Sequence, residues 1–184
     1  METLLDLTEV AAVAAIMKSV KARRIVEVGT CDGNTTVNIA ANSPDDAVIT
    51  TIELPHDWDG KYKMHVSAED VNVTDRDKIG GRFLRSPYRN KIKQIFADSA
   101  ALDWSKLGGP FDAIFIDGCH SYSYVKSDTD NALANLAPHG LIVWHDYGYM
   151  ADLTKAVDEY AQSLNVSVIQ GTRLAVARRR AAVN

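Results

Sequence analysis

Five apolar runs govern what this chain can fold into, because each one breaks off into a carboxylate, a glycine or a histidine. They read RRIVEVGT, AVITTIEL, KIKQIFADS, FDAIFIDG and GLIVWHDY. Runs of this length, rich in Val and Ile, suit strands buried on both faces. Between and after them the spacing predicts helices over residues 33–41, 99–107, 122–136 and 149–164, with a further helix over 8–21 in front. Thr8 or Asp6 is available to cap that first helix. Strands alternating with helices imply a parallel sheet with helices on both faces.

The end of the chain departs from that rule. VSVIQ and RLAVAR are parted by little more than Gly171 and Thr172, a hairpin signal and not a crossover. One strand of this pair must run antiparallel. The expected architecture is a Rossmann-like, doubly wound α/β sheet, mostly parallel, with one antiparallel strand from a C-terminal hairpin. Residues 1–184 show no repeat and no linker and read as a single domain.

Composition sets the class. With 184 residues, 46% hydrophobic and 24% charged, the chain can bury a full core. A net charge of −4 speaks against nonspecific nucleic-acid binding. METLLDLTEV lacks a basic leader, and AAVAAIM is too short to span a bilayer. Cys31 and Cys119 form no spaced pair, so the expected setting is a reducing cytoplasm, with no membrane partner. Oligomeric state is open, a homodimer included.

Basic residues crowd one stretch: Arg76, Lys78, Arg82, Arg85, Arg89, Lys91 and Lys93. A solvated face explains them most simply; an anionic or sugar-phosphate substrate is the alternative. Arg178, Arg179 and Arg180 read as a tail after the last strand. Residues 55–89 carry no clear period and are too long for a plain connection. They are expected to hold an extra helix and a mobile or substrate-facing loop.

In open α/β sheets ligands gather beyond the carboxyl ends of the strands. The first such end is E27-V-G29-T-C-D-G33, whose glycines allow a tight turn and a close backbone approach. Its G-x-x-x-G spacing is not the G-x-G-x-x-G of a pyrophosphate binder. Glu53 ends the second strand, twenty residues past Gly33, where a carboxylate can accept both hydroxyls of a ribose. Asp98 and Ser99 end the third, and Ser99 doubles as a helix cap.

Taken in order, E-V-G-T-C-D-G, Glu53, A-D-S at 97–99, F-I-D-G-C-H-S-Y and V-W-H-D-Y resemble the class I S-adenosylmethionine-dependent methyltransferases. The similarity is strongest to a small subgroup with D-G-x-H-x-Y after strand four, which resembles metal-dependent O-methyltransferases. It extends over about residues 20–178. The resemblance implies that Gly29 and Gly33 flank the methionine part of the cofactor, with Glu27 near its amino group. It further implies Glu53 on the ribose and Asp98 with Ser99 near the adenine. Asp32 joins this set or serves only as a turn residue.

Strands four and five would then lie about 4.8 Å apart, with Asp117 and Asp146 ending them on the same rim. Two carboxylates so close repel unless a cation or a proton lies between them. With His120 one turn beyond Asp117, the candidate metal ligands are Asp117, His120 and Asp146. Oxygen-rich ligation with one imidazole suits Mg²⁺ or Mn²⁺ better than zinc. Such an ion would activate a hydroxyl for attack on the methyl group, with His120 or His145 taking the proton. The candidate catalytic residues are therefore Asp117, His120 and His145.

By strand alternation His145 and Asp146 should point to opposite faces, leaving Asp146 as ligand and His145 as structural. Similar metal-dependent sugar O-methyltransferases carry two consecutive acids here, where this chain has His145 first. In metal-independent relatives the strand-four acid only orients the cofactor. The expected activity is methyl transfer to a small-molecule acceptor, a hydroxyl oxygen being the first candidate by that resemblance, sugars included. Three alternatives stand beside it: an inactive cofactor-binding protein of the same fold, a nicotinamide-dependent oxidoreductase, and a metal-dependent hydrolase.

Overall fold

A computed structural model of the chain describes residues 5–68, 70 and 76–179. In chain order it runs α1 (Leu7–Ser19), β1 (Arg24–Val28), α2 (Asn34–Asn42), β2 (Val48–Glu53), α3 (Gly81–Leu84), β3 (Ile92–Phe96), β4 (Phe111–Ile116), α4 (Tyr122–Asn135), β5 (Leu136–Trp144), α5 (Ala151–Tyr160), β6 (Leu164–Val168) and β7 (Ala175–Arg179). The strands form one sheet in the order β3-β2-β1-β4-β5-β7-β6. β7 is antiparallel to both β5 and β6, and the neighbouring pairs from β3 to β5 are parallel. The Rossmann-like sheet with one reversed strand is as the sequence implies.

Alternation along the strands builds two cores. Val26 and Val28 of β1, Ile114 and Ile116 of β4, and Ile142 and Trp144 of β5 face α4 and α5, where they meet Val125 and Leu153. Ile25, Phe115, Leu141 and Val143 face the other way, onto Val13 and Met17 of α1 and Ile39 of α2. Covered on both faces, the central strands need apolar residues at successive positions, which is why they read as continuous runs. Among the described residues no helix is long and apolar enough to cross a membrane.

Two expectations need correction and two are met only in part. Residues 99–107 hold two 3-10 turns, Ser99–Ala101 and Trp104–Lys106, and no continuous helix. Asp98 accepts from the Ala100 amide and Asp103 from the Ser105 amide, so two caps five residues apart each restart the chain. Arg178 and Arg179 are not a tail: β7 extends through Arg179, while Arg180 lies outside the described residues.

The basic stretch is partly structural. Arg82 pairs with Asp32, and the Lys91 ammonium donates to the carbonyls of Ala40 and Ser43 at the end of α2, where a cation complements the helix dipole. The side chain of Arg76 lies outside the described residues. Among its described residues the segment 55–89 holds a 3-10 turn at Arg76–Lys78, the single-turn α3 and the start of another 3-10 turn, Arg89–Lys91; residues 69 and 71–75 lie outside the described residues.

Candidate active site

The floor of the site is the turn after β1. Gly29 has φ of +93°, and a Cβ there would lie 2.0 Å from the Asp117 carbonyl oxygen, so only glycine lets β1 and β4 end side by side. Gly33, at φ +84°, opens α2. Asp32 accepts from the Asn34 amide and pairs with Arg82, which makes it a turn residue in this structure. Glu53 reaches back from β2: one carboxylate oxygen accepts from the amides of Thr30 and Cys31, the other from Leu54. Its carboxylate thus faces the glycine turn, with both oxygens on backbone amides.

Glu27 is fully buried in β1. Thr36 of α2 and Thr51 of β2 both donate to its Oε2, at 2.5 and 2.6 Å, while Oε1 has no partner among the described residues. Burial pushes its carboxyl up to about 8. Asp98 accepts from the Lys63 amide and the Tyr124 hydroxyl. Ser99 lies in the 3-10 turn that Asp98 caps, and its carbonyl accepts from the Trp104 indole. Beside them Asp128 of α4 is fully buried, and burial pushes its carboxyl up to about 7.

Beyond β4 and β5 four groups converge. Ligand atoms of Asp117, His120 and Asp146 all lie within 4.8 Å of one another. His120 Nε2 and Asp146 Oδ2 are 3.1 Å apart, yet neither makes a hydrogen bond to the other or to another described residue. Two buried polar atoms in ion-pair contact, with no hydrogen bond to fill their lone pairs, are compatible with a cation-binding cluster of this composition. The donor set fits Mg²⁺ or Mn²⁺.

Alternation does not separate His145 from Asp146. β5 ends at Trp144, and Asp146 takes a left-handed conformation at φ +60°, so both side chains turn into the same cluster, 3.5 Å apart. His145 is completely buried, with Nδ1 2.8 Å from Asp117 and Nε2 3.0 Å from Glu9. Burial alone would lower its pKa, but Asp117 first and then Asp146 and Glu9 raise it. Both ring nitrogens are occupied, so His145 is not placed to take a proton from an acceptor.

Three residues that sequence reasoning missed complete the cluster. Glu9 of α1, 1% exposed, accepts from the Arg173 amide and guanidinium and faces His145. Arg173, from the turn between β6 and β7, also donates to Asp146 Oδ1 at 2.7 Å. Asp70 holds His120 by Nδ1 at 2.6 Å. Against the penalty of burial, the flanking Asp146 and Asp70 carboxylates raise the His120 pKa to about 10. The sequence carried a faint signal for Glu9, an acid three residues after Asp6 in a capping-box pattern. Arg173 and Asp70 gave none, because their partners lie 27 and 50 residues away.

A glycine turn, acids ending successive strands and a reversed last strand define a cofactor-binding α/β protein of the class I S-adenosylmethionine-dependent methyltransferase type. Residues 26–147, more than half of the chain, match the family model of a methyltransferase domain, Methyltransf_24, and the chain belongs to that family.

Solved structures share the fold at low identity. The O-methyltransferase TomG from Streptomyces achromogenes, involved in tomaymycin synthesis and solved with SAM, is 15% identical with a TM-score of 0.75, over 97% of this chain and 82% of that one. An O-methyltransferase from Bacillus cereus, in complex with SAH, is 15% identical with a TM-score of 0.72, over 97% and 84%. A methyltransferase from Podospora anserina, bound to SAH, is 16% identical with a TM-score of 0.68, over 97% and 81%. No curated protein matches the chain.

Proposed function

We propose that this protein transfers the methyl group of S-adenosylmethionine to a hydroxyl oxygen of a small molecule, sugars among the first to screen, with a divalent ion at Asp117, His120 and Asp146. The observation that carries the metal part is the buried pair His120 Nε2 and Asp146 Oδ2, in ion-pair contact but without a hydrogen bond, facing Asp117. The cofactor, when bound, supplies an electrophilic methyl on a sulfonium. A divalent ion, when bound, lowers the pKa of a coordinated hydroxyl and orients it.

The chain's own residues do the rest. Glu27 Oε1, the free oxygen of a buried carboxyl, is the acceptor for an ammonium brought to the glycine turn. Gly29 and Gly33 leave room for that approach, Glu53 accepts ribose hydroxyls, and Asp98 with Ser99 borders the adenine. Asp117 is the most open member of the metal cluster, its side chain 16% exposed against 0% for Asp146 and 8% for His120. An acceptor therefore meets the cluster at Asp117. His145 orients Asp117 through Nδ1 and is not itself the base. His120, held at Nδ1 and aimed at the cluster by Nε2, serves as ligand in preference to base.

One observation favours a metal-free reading. Arg173 already neutralises one oxygen of Asp146, and in that case the cluster is a structural ion network and Asp117 orients the cofactor. Thermal melting decides between them. A ligand that binds only the folded state raises Tm. S-adenosylhomocysteine should raise it and NADH should not; the opposite result sinks the methyltransferase reading. Mg²⁺ should add a further rise that chelator reverses and Asp117→Asn abolishes, and no Mg²⁺ response leaves the metal-free reading. A homocysteine-release screen over hydroxylated metabolites then identifies the acceptor.

A further inference from the structure

Asp70 brings a side chain from the 55–89 segment into contact with the metal cluster. It is 3% exposed. Its Oδ1 meets His120 Nδ1 at 2.6 Å, and its Oδ2 accepts from the His120 amide, the Ser121 hydroxyl and the Cys119 thiol. A backbone amide, a hydroxyl and a thiol all point their hydrogens at it, so the Asp70 carboxylate is the acceptor in this cluster.

The geometry has a consequence for the imidazole. A carboxylate can only accept, so the hydrogen lies on His120 Nδ1 and the bond fixes the ring plane. Nε2 is then the nitrogen that points at Asp117 and Asp146. A histidine that ligates a metal through one nitrogen gains basicity and orientation when its other N–H is held by a carboxylate.

Asp70 also reaches this place from an anchored chain. The Lys63 amide donates to Asp98, the Ser67 amide to the Ser121 hydroxyl, and the Ser123 hydroxyl to the His65 carbonyl. The same backbone that borders Asp98 at one end of the rim therefore delivers Asp70 to His120 at the other.

We propose that Asp70 is the positioning residue of the divalent-cation site, turning His120 into an Nε2 ligand, so that the site is complete only when this part of the chain is docked across the rim. The inference rests on the metal reading above and adds to it a residue, a tautomer and a coupling to the docked segment.

The test uses Mn²⁺ as the probe. The whole chain, with ¹⁵N-labelled histidine, is titrated by calorimetry and examined by pulsed electron paramagnetic resonance. The wild type should bind Mn²⁺ and show coupling to one histidine nitrogen. Asp70→Ala should bind about 10–100-fold more weakly and lose that coupling. Asp70→Asn, whose amide oxygen still accepts from Nδ1–H, should lose less and keep some of the coupling. Ser123→Ala, which removes one anchor of the docked backbone and leaves the hydrogen bonds of Asp70 in place, should weaken Mn²⁺ binding less than Asp70→Ala does and keep the coupling. An equal loss of both would assign the effect to anchoring and overturn the positioning role.

Asp70→Ala within twofold of the wild type and with the nitrogen signal intact overturns the proposal. If that variant fails to fold, Asp70→Asn within twofold and with the full signal overturns it equally. A wild type that binds Mn²⁺ without histidine coupling overturns this inference and leaves the metal reading standing. A wild type that takes up no Mn²⁺ removes both.

Discussion

Glu27 shows how much one buried carboxyl can carry. Its ordinary value is 4.5 and burial pushes it up to about 8, so the fold favours the neutral acid. Its stabilisation is complete below pH 4.5 and is lost as pH rises through 8. Glutamine keeps an oxygen for Thr36 and Thr51 but cannot ionise. Glu27→Gln should therefore gain stability relative to the wild type between pH 5 and pH 8, on the order of 2–4 kcal/mol. Urea denaturation of both proteins at the two pH values measures it, and parallel pH profiles would show that Glu27 is already ionised in the fold. The sequence placed Glu27, Gly29, Glu53, Asp98, Asp117 and Asp146 at strand ends correctly because strand periodicity fixes where a run stops. It could not foresee that both oxygens of Glu53 would hold backbone amides, or that both nitrogens of His145 would be occupied.

At the level of elements, α1 is more than a cover for the sheet. Glu9 in its first turn joins α1 to His145 after β5 and to Arg173 between β6 and β7. Burial opposes its ionisation, yet the Arg173 hydrogen bonds, with His145 behind them, lower its carboxyl to about 2. That contribution is present above pH 4.5 and is lost as pH falls through 2. Glu9→Ala removes the buried carboxylate shared by His145 and Arg173, leaving them only Asp117 and Asp146, and should cost about 3 kcal/mol. Chemical denaturation at pH 7 is the check, and a loss below about 1 kcal/mol would show that α1 docks by Val10, Val13 and Met17 alone. Element boundaries were least legible where local chemistry competes with period. Two aspartate caps divided residues 99–107, and a left-handed Asp146 ended the alternation that should have parted it from His145.

Across the whole molecule, stability should follow coverage of the sheet. β1, β4 and β5 are sandwiched between α1–α2 and α4–α5, whereas β3 and β6 are edges. Amide hydrogen exchange should therefore be slowest in β1, β4 and β5 and faster in β3 and β6. Uniform protection across all seven strands would contradict this. By itself the sequence determined the parallel sheet, the reversed last strand and the polar strand tips, since these follow from local period and from turns of a few residues. Only the tertiary structure decided that Glu9, Asp70 and Arg173 meet His120, His145 and Asp146. Those contacts span separations of 27 to 136 residues, and no local pattern encodes which distant charges a fold will bring into the same dry space.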